Sequence, residues 1–285
     1  MKALVVSGGG AKFWYSAGAL HTLKKRGHEF DRVYGASTGA ISTLLWMQGD
    51  PKRAWEIAGK ITPSNIIKES FIATKLHRFA RARPLADNSP MVNTLMEYFP
   101  RHSLDFSFKS YAIATNIVSQ ERKVFHLKED DPDLYRYVVA SCAIPALVQP
   151  VNFTDDLICI DGQSINNCLL TPAVADGATE IILIVLSEKT PSRINPDNLF
   201  ELISSVAEGT LNHSVARDLL LTDARNKLPG FRRIKVQLIR PSRKVPIEFL
   251  KWTPVQAREA FDMGSTDAMN METIIDPTRD STGKG

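Results

Sequence analysis

The feature that most constrains the fold of this chain is a G-x-S-x-G pentapeptide that runs from Gly35 to Gly39. It follows a predicted strand, Arg32–Tyr34, and precedes a predicted apolar helix, Ala40–Gln48. A pentapeptide of this type between a strand and a helix is typical of a nucleophile elbow, because glycines allow the sharp turn that lifts the serine hydroxyl above the sheet edge. Ser37 would also lie at a helix N-terminus, where the helix dipole favours developing negative charge. The pattern predicts an α/β fold with Ser37 as a candidate nucleophile.

The rest of the chain alternates between short apolar strands and helical stretches. Further strands are predicted at Ala3–Ser7, Tyr111–Asn116, Val124–Leu127, Leu157–Ile160, Ile181–Leu186 and Ile234–Ile239. Helices are predicted at Trp14–Arg26 and at 51–60, 90–99, 131–141, 197–227 and 254–273. Alternation of this kind indicates an α/β fold with a central, mostly parallel sheet. The strands at 111–116 and 124–127 are close enough in sequence to form a hairpin, so part of the sheet is expected to be antiparallel.

Composition is ordinary for a globular protein, since 44% of the 285 residues are hydrophobic and 23% are charged. These proportions exclude a disordered chain, a collagen-like repeat and a coiled-coil rod. The 35 lysines and arginines exceed the 31 acidic residues by a formal charge of +4, which permits contact with an anionic surface but does not indicate nucleic-acid binding. Without a repeat or a long linker, we expect a single domain over residues 1–275 and a flexible tail at 276–285.

Cysteine spacing and hydropathy bear on the cellular compartment. The three cysteines, Cys142, Cys159 and Cys168, form no C-x-x-C pair, so a disulfide framework is not expected. The longest strongly apolar run, Ile181–Leu186, has six residues, whereas a membrane span needs roughly 20. The N-terminus reaches glycine at Gly8, too early for a signal peptide. We therefore expect a cytoplasmic protein, which would reach a membrane by peripheral contact.

A second motif is the glycine-rich loop that follows the first predicted strand. It consists of Gly8, Gly9, Gly10, Ala11 and Lys12. Successive glycines leave backbone N–H groups free to point at an anion, and a helix is predicted just beyond them. Because one strand–helix–strand unit separates this loop from Ser37, both would emerge at the same sheet edge. This pairing favours an oxyanion hole, in which N–H groups stabilise negative charge next to the nucleophile.

The same loop has an alternative interpretation as the nucleotide-binding loop of an oxidoreductase. The dinucleotide fingerprint, G-x-G-x-x-G, matches at Gly8 and Gly10 but has Phe13 where its last glycine should be. Asp31 lies at about the sequence distance expected of the acidic residue that binds a ribose. The missing glycine weakens this interpretation without excluding it.

A third motif, Asp161-Gly162, follows the predicted apolar strand that ends at Ile160. A carboxylate at the end of such a strand lies where α/β proteins collect their active-site residues, although Asp-Gly alone is also a common turn. The one histidine after Asp161 is His213, which is in the middle of a predicted helix and is poorly placed to act as a mobile base. The simpler arrangement is a Ser37–Asp161 dyad, in which the carboxylate accepts the serine proton directly.

Together these motifs resemble those of the patatin-like phospholipases, a family of lipid acyl hydrolases with a Ser–Asp dyad. The family signatures are a GGGx[KR]G oxyanion loop, a GxSxG elbow and a DG[GA] base motif. Their counterparts in this chain lie, in the same order, at residues 8–13, 35–39 and 161–163. Ala140–Pro145 followed by Gln149–Val151 is similar to a fourth family segment, ASxAxPxxFxPV. The resemblance covers residues 2–48 and 111–187.

The resemblance implies a role for each motif. Ser37 would be the nucleophile, Asp161 the general base, and Lys12 the basic residue of the oxyanion loop. The loop amides that would bind the oxyanion are foremost those of Gly9, Gly10 and Ala11. The resemblance also implies a three-layer α/β/α fold that needs no metal and no cofactor. The expected reaction is hydrolysis of a lipid or another fatty-acyl ester through an acyl-enzyme.

Five positions depart from the family pattern: Phe13, Asn116, Gln120, Gln163 and Leu169. Phe13 and Gln163 replace the last glycine of the oxyanion loop and the second glycine of the base motif. None of the five departures removes a catalytic side chain. They bear on substrate range and rate, and they leave open a catalytically weak family member that binds lipid.

Two segments combine apolar and basic residues in a way that could bring the site to an anionic membrane. Residues 64–83 would form a basic amphipathic helix, and Arg240–Trp252 contains prolines that indicate a loop. For both segments, we favour packing against the protein core over contact with a bilayer. No feature of the sequence indicates the oligomeric state.

Overall fold

The computed structural model describes residues 1–50, 53, 68–69, 86–87, 89–145, 147–164, 169–189, 199–247 and 252–277. The strands in this part of the chain are β1 (Lys2–Val6), β2 (Arg32–Ala36), β3 (Lys68–Glu69), β4 (Ala86–Asp87), β5 (Lys109–Asn116), β6 (Glu121–His126), β7 (Val151–Thr154), β8 (Leu157–Asp161), β9 (Glu180–Ile184), β10 (Lys235–Ile239) and β11 (Glu272–Ile275). The α-helices are α1 (Phe13–Lys25), α2 (Thr38–Met47), α3 (Ser89–Tyr98), α4 (Leu134–Ser141), α5 (Leu170–Ala175), α6 (Leu199–Asn226) and α7 (Pro254–Met269). Short 3₁₀ turns lie at Gly10–Lys12 and Arg101–Ser103.

Nine strands form one mixed sheet in the order β11-β10-β9-β1-β2-β5-β8-β7, and β6 also pairs with β5. The central strands β10, β9, β1, β2 and β5 are parallel neighbours. Antiparallel pairing occurs toward both margins, where β11 pairs with β10 and both β6 and β8 pair with β5. Strands β3 and β4 form a separate two-stranded sheet. The mostly parallel sheet and the β5–β6 hairpin are therefore confirmed.

Helices cover both faces of the sheet, because alternate residues of a strand point to opposite sides. In β1, Leu4 and Val6 belong to the core that contains residues of α1, α2, α4 and α7, whereas Ala3 and Val5 belong to the core that contains residues of α5 and α6. All four side chains are fully buried. The three-layer α/β/α architecture is thereby confirmed. The loops that follow β1 and β2 leave the same edge of the sheet, because the two strands are parallel.

Helices α1 and α7 cross closely because each contributes a glycine to the contact. A Cβ on Gly18 would overlap the backbone carbonyl of Phe261, and a Cβ on Gly264 would overlap that of Tyr15. Ser265 Oγ donates a hydrogen bond of 3.1 Å to the carbonyl of Gly18. This contact fixes α1, the helix that begins at the end of the glycine-rich loop, against the C-terminal part of the fold.

The C-terminal helix is shorter than predicted. Instead of extending over 254–273, α7 ends at Met269 and is followed by strand β11, which pairs with the edge of β10. The prediction was wrong because pairing with β10 is a tertiary interaction, which outweighs helical periodicity at the β-branched residues of β11. Strand β7 and helix α5 were not predicted, since four and six residues are too few for periodicity to be recognised.

Some predictions concern residues outside the described part of the chain. These are the helix at 51–60 except residue 53, the amphipathic segment 64–83 except residues 68–69, and the tail 276–285 except residues 276–277.

The second candidate membrane segment, Arg240–Trp252, packs against the core over its described residues. Val245 and Ile247 are buried, and the ring of Trp252 packs edge-on against Trp14 with centroids 6.3 Å apart. This is the packing role that we favoured, while residues 248–251 lie outside the described part. None of the helices that the structure describes has the length and apolar character needed to cross a membrane.

Candidate active site

Ser37 lies between β2 and α2, at the turn that the pentapeptide predicts. Its backbone has φ 54° and ψ −132°, a conformation that is strained for a residue with a Cβ. The flanking glycines make the turn possible, because a Cβ on Gly35 would overlap the backbone of Gly39 and a Cβ on Gly39 would overlap the carbonyl of Val6. The result is the sharp strand-to-helix turn of a nucleophile elbow.

The strained conformation of Ser37 is held by a hydrogen bond from its own backbone. The Ser37 N–H donates to Ser141 Oγ at 2.8 Å, and Ser141 Oγ in turn donates to the carbonyl of Ile113 in β5. Ser141 is fully buried at the end of α4. The sequence analysis includes Ser141 in the segment Ala140–Pro145, which is similar to a family segment, but assigns this serine no role. The structure shows that it ties the elbow to the centre of the sheet.

Asp161 is the last residue of β8 and is paired with Ala114 of β5. Its N–H donates to the carbonyl of Ala143 at 2.9 Å, and its Oδ1 accepts from the N–H of Gln163 at 2.8 Å. The other carboxylate oxygen, Oδ2, is buried and has no hydrogen-bond partner of normal geometry among the described residues. A Cβ on Gly162 would overlap the carbonyl of Ile113, so only glycine fits directly after Asp161.

The electrostatic environment of Asp161 is that of a buried carboxyl group beside a serine. Burial raises the pKa of Asp161 to about 6, against the opposing effects of hydrogen bonding from the Ser37 hydroxyl and from the N–H of Gln163. The serine hydroxyl therefore lies next to the carboxylate. A carboxylate with a pKa of about 6 is a stronger base than an ordinary aspartate, yet it is mostly ionised at pH 7.

The glycine-rich loop lies directly against the nucleophile. A Cβ on Gly8 would overlap Ser37, and the N–H of Gly9 donates to Thr38 Oγ1 at 3.2 Å. Gly10 has φ 58°, which turns the chain into the 3₁₀ segment that leads to α1. Among the described residues, no acceptor pairs with the N–H groups of Gly10 and Ala11, although both residues are buried. Two unpaired N–H groups in a loop that contacts the nucleophile suit the binding of an oxyanion.

Lys12 is engaged elsewhere. Its N–H donates to the carbonyl of Gly9, and its buried Nζ forms ion pairs with Glu188 Oε2 at 2.9 Å and with Glu208 Oε1 at 2.8 Å. Burial alone would raise the pKa of Glu188, but the Lys12 charge and the N–H of Val245 outweigh it and hold that pKa below its usual range. Sequence reasoning grouped Lys12 with the oxyanion loop and did not identify its carboxylate partners. These contacts tie the end of the glycine-rich loop to Glu188 and Glu208, and the role of Lys12 in an oxyanion hole stays a prediction.

In the part of the chain that the structure describes, the other candidate side chains do not form a second site. His213 is exposed on α6, as its place in a helix led us to expect. Burial raises the pKa of the Cys142 thiol well above its usual range, and the charge of Asp161 adds to the effect, so this cysteine is not an activated nucleophile. Within the described ranges, no group of three or more His, Cys, Asp or Glu residues is arranged to hold a metal ion.

The position of Asp31 argues against the nucleotide-binding alternative. The acidic residue of a dinucleotide site follows the second strand and lies at the same sheet edge as the glycine-rich loop. Asp31 instead precedes β2, at the opposite edge, where its Oδ2 accepts a hydrogen bond of 2.6 Å from the N–H of Lys2. It is therefore not placed to contact a ribose bound at Gly8–Gly10.

Sequence similarity links the chain to uncharacterized NTE family proteins of two mycobacteria. The protein of Mycobacterium tuberculosis strain CDC 1551 is 28% identical over 186 residues, which make up 64% of this chain and 30% of that protein. The protein of Mycobacterium bovis has the same identity and the same coverage. The chain thus spans about a third of the length of the curated relatives that it matches.

Two solved structures are similar over most of the chain. VipD from Legionella pneumophila has a TM-score of 0.42 and 13% sequence identity, over 94% of this chain and 66% of VipD. The type III effector protein ExoU has a TM-score of 0.39 and 14% identity, over 94% of this chain and 52% of ExoU.

The family assignment comes from the sequence segment that contains all three motifs. The model of the patatin-like phospholipase family matches residues 4–174, which is more than half of the chain. This segment begins in β1 and ends in α5, so that it includes the glycine-rich loop, Ser37 and Asp161. The chain belongs to the patatin-like phospholipase family.

Proposed function

We propose that this protein hydrolyses fatty-acyl esters, as a phospholipase A or a related lipid acyl hydrolase, by means of a Ser37–Asp161 dyad. Membership of the patatin-like phospholipase family supports lipid acyl hydrolysis in general. The observation that carries the finer proposal is the proximity of a strained serine to a buried aspartate whose Oδ2 has no hydrogen-bond partner of normal geometry among the described residues. No metal or cofactor takes part in the proposed reaction.

In the first half of the reaction, the Ser37 hydroxyl attacks the ester carbonyl while its proton passes to Asp161. The carbonyl oxygen becomes an oxyanion, which accepts hydrogen bonds from the N–H groups of Gly10 and Ala11. When the tetrahedral intermediate collapses, the ester bond breaks and the leaving alcohol takes the proton from Asp161. The fatty-acyl group remains bound to Ser37 as an ester.

The second half of the reaction uses the same groups with water as the nucleophile. Asp161 accepts a proton from a water molecule as the water attacks the acyl-enzyme, and the same amides bind the second oxyanion. Collapse of this intermediate breaks the bond to Ser37 Oγ, which regains its proton from Asp161. The fatty acid leaves, and the free enzyme is restored.

The pKa of Asp161 predicts the pH dependence of the reaction. Because only the ionised carboxylate can accept the serine proton, we expect kcat/KM to rise tenfold per pH unit below about pH 6 and to level off above it. The measurement is kcat/KM from pH 4.5 to 8.5 with an ester that does not ionise in this range. Far-ultraviolet circular dichroism at each pH shows that the fold is intact. A profile that is flat or falls across pH 6 would contradict the assignment of Asp161 as the base.

Labelling with a fluorophosphonate probe tests the proposed nucleophile. The probe phosphonylates an activated serine, so we expect one label per chain, located on Ser37 by mass spectrometry of the digested protein. The Ser37→Ala variant should remain folded and unlabelled, whereas Ser164→Ala, which changes an exposed serine close to the base, should label like the wild type.

The outcomes separate the proposal from its alternatives. A label on any residue other than Ser37 would place the nucleophile elsewhere and overturn the dyad. A folded protein that binds phospholipid vesicles but takes up no label would instead be a family member that binds lipid without hydrolysing it. Hydrolysis of phospholipid vesicles by the wild type, with none by Ser37→Ala, would establish the substrate class.

A further inference from the structure

Gln163 occupies a position next to the reacting serine that a glycine usually fills in the family's base motif. Its N–H binds Asp161 Oδ1 at 2.8 Å, and its side chain turns back toward the glycine-rich loop. The side-chain oxygen, Oε1, packs against the Cα of Gly8, on the side where Gly8 also contacts Ser37. A Cβ on Gly8 would overlap both Oε1 of Gln163 and Cβ of Ser37. The carboxamide of Gln163 is thus next to the nucleophile.

The donor half of this carboxamide is unpaired. Nε2 of Gln163 is buried and has no hydrogen-bond partner among the described residues. Leaving a buried donor unpaired costs the desolvation energy of that group, so such groups are rare unless a ligand brings the missing acceptor. The carboxamide that carries Nε2 lies against Gly8, in the same glycine-rich loop as the unpaired N–H groups of Gly10 and Ala11. An ester carbonyl attacked by Ser37 would bring an acceptor to this region.

We propose that Gln163 is a catalytic residue whose Nε2 donates a hydrogen bond to the oxyanion, together with the loop amides. This inference rests on the hydrolytic function proposed above and adds a side-chain donor to its oxyanion hole. A neutral amide is suited to this role, because it stabilises the developing charge without lowering the basicity of the adjacent Asp161 by a full positive charge. Through its N–H and its Nε2, the same residue would position the base and bind the oxyanion.

Two substitutions test whether the Gln163 side chain donates a hydrogen bond to the oxyanion or instead blocks access to Ser37. Gln163→Met keeps most of the volume and removes the donor, whereas Gln163→Gly removes both and restores the usual family residue. If Gln163 is an oxyanion donor, both variants lose about 100-fold in kcat/KM for a short-chain p-nitrophenyl ester, with KM little changed. The second-order rate constant of fluorophosphonate labelling should fall together with kcat/KM, because the phosphonyl oxygen occupies the oxyanion site.

Gln237→Met is the matched control, since it makes the same substitution at a partly exposed position on β10 that is not part of the site. It should label and turn over like the wild type. The melting temperatures of all three variants should stay within a few degrees of that of the wild type. A loss of activity would then not be due to unfolding.

Three other results would overturn the proposal. Wild-type rates in Gln163→Met would show that the donor is not used. Faster labelling of Gln163→Gly would show that the side chain obstructs the site. A wild-type protein that is folded but takes up no label would contradict the proposed hydrolytic function, and the role of Gln163 would be overturned with it. The first two results leave the Ser37–Asp161 dyad standing, so the two proposals can fail separately.

Discussion

Asp161→Asn is expected to reduce turnover by about 10⁴-fold while it stabilises the fold. Asparagine keeps an oxygen that can accept the Gln163 N–H but cannot accept a proton, so general-base catalysis is lost. The stability gain follows from burial, which raises the pKa of Asp161 to about 6 and so disfavours its charged form in the folded protein. A rise of about two units corresponds to roughly 3 kcal/mol, which the neutral asparagine would recover.

Because burial raises the pKa of Asp161, the difference in stability between Asp161→Asn and the wild type should depend on pH. Below a pH of about 4, the Asp161 carboxyl is protonated in both the folded and the unfolded chain. Burial of this carboxyl as a charged group therefore does not lower the stability of the wild type in that range. The cost develops between about pH 4 and 6 and is fully present above pH 6, because the folded-state pKa is the higher of the two. The stability advantage of Asp161→Asn over the wild type should therefore be larger at pH 7.5 than at pH 5.

Urea unfolding at pH 5 and at pH 7.5, together with steady-state kinetics, measures both expected effects. Asp155→Asn is the matched control, because Asp155 is exposed in the turn between β7 and β8 and the same substitution there should change neither stability nor turnover appreciably. An Asp161→Asn protein that is less stable than the wild type at pH 7.5 would contradict the burial argument. Retained turnover would contradict the dyad.

Lys12→Met is expected to destabilise the protein by about 3–5 kcal/mol and to slow labelling of Ser37. Methionine retains much of the aliphatic chain but removes the charge that compensates Glu188 and Glu208. Glu188 has only 10% of its side chain exposed, and removing one partner of a buried ion pair leaves an uncompensated buried charge. The glycine-rich loop would lose the anchor that fixes its amides beside Ser37.

The surface pair between Lys227 and Asp223 provides the control for this prediction. Its Nζ–Oδ2 distance of 2.7 Å is similar, but both side chains are substantially exposed, so Lys227→Met should cost less than about 1 kcal/mol. Adding Glu188→Gln to Lys12→Met should recover much of the lost stability, because glutamine removes the charge and can still accept the N–H of Val245. Equal destabilisation by Lys12→Met and Lys227→Met, measured by urea unfolding, would contradict the prediction that the buried Lys12–Glu188 ion pair contributes more to stability than the exposed pair.

Those parts of the candidate site that local backbone geometry determines could be predicted from the sequence. Ser37 and Asp161 are each flanked by a glycine that the turn requires, and the strand before each is apolar and buried, so the signal lies within a few neighbouring residues. The glycine-rich loop at Gly8–Ala11 is likewise recognisable from consecutive residues, whereas the role of its amides stays a prediction. The α/β architecture was predictable because strand and helix periodicities differ along the whole chain.

Contacts between distant residues could not be predicted in this way. Lys12 and Glu188 are 176 positions apart, and no pattern around Glu188 distinguishes it from a solvated glutamate. Likewise, nothing in the sequence shows that Ser141 Oγ would accept the N–H of Ser37, 104 positions away. Strand β11 was missed for a related reason, since it exists as a strand only through its pairing with β10.

The position of β1 at the centre of the sheet has a consequence for how the chain folds as it is made. Strand β1 pairs on one side with β2 and on the other with β9, in register from Lys2 with Glu180 to Val6 with Ile184. Roughly 180 residues separate β1 from β9, so at 5–20 residues per second the ribosome takes on the order of 10–40 seconds to supply the second neighbour. Throughout that interval β1 has an open edge at the centre of the future sheet. The strand that leads into the glycine-rich loop thus precedes the other described strands of its sheet in the chain, yet its pairing is complete only after β9 has been synthesised.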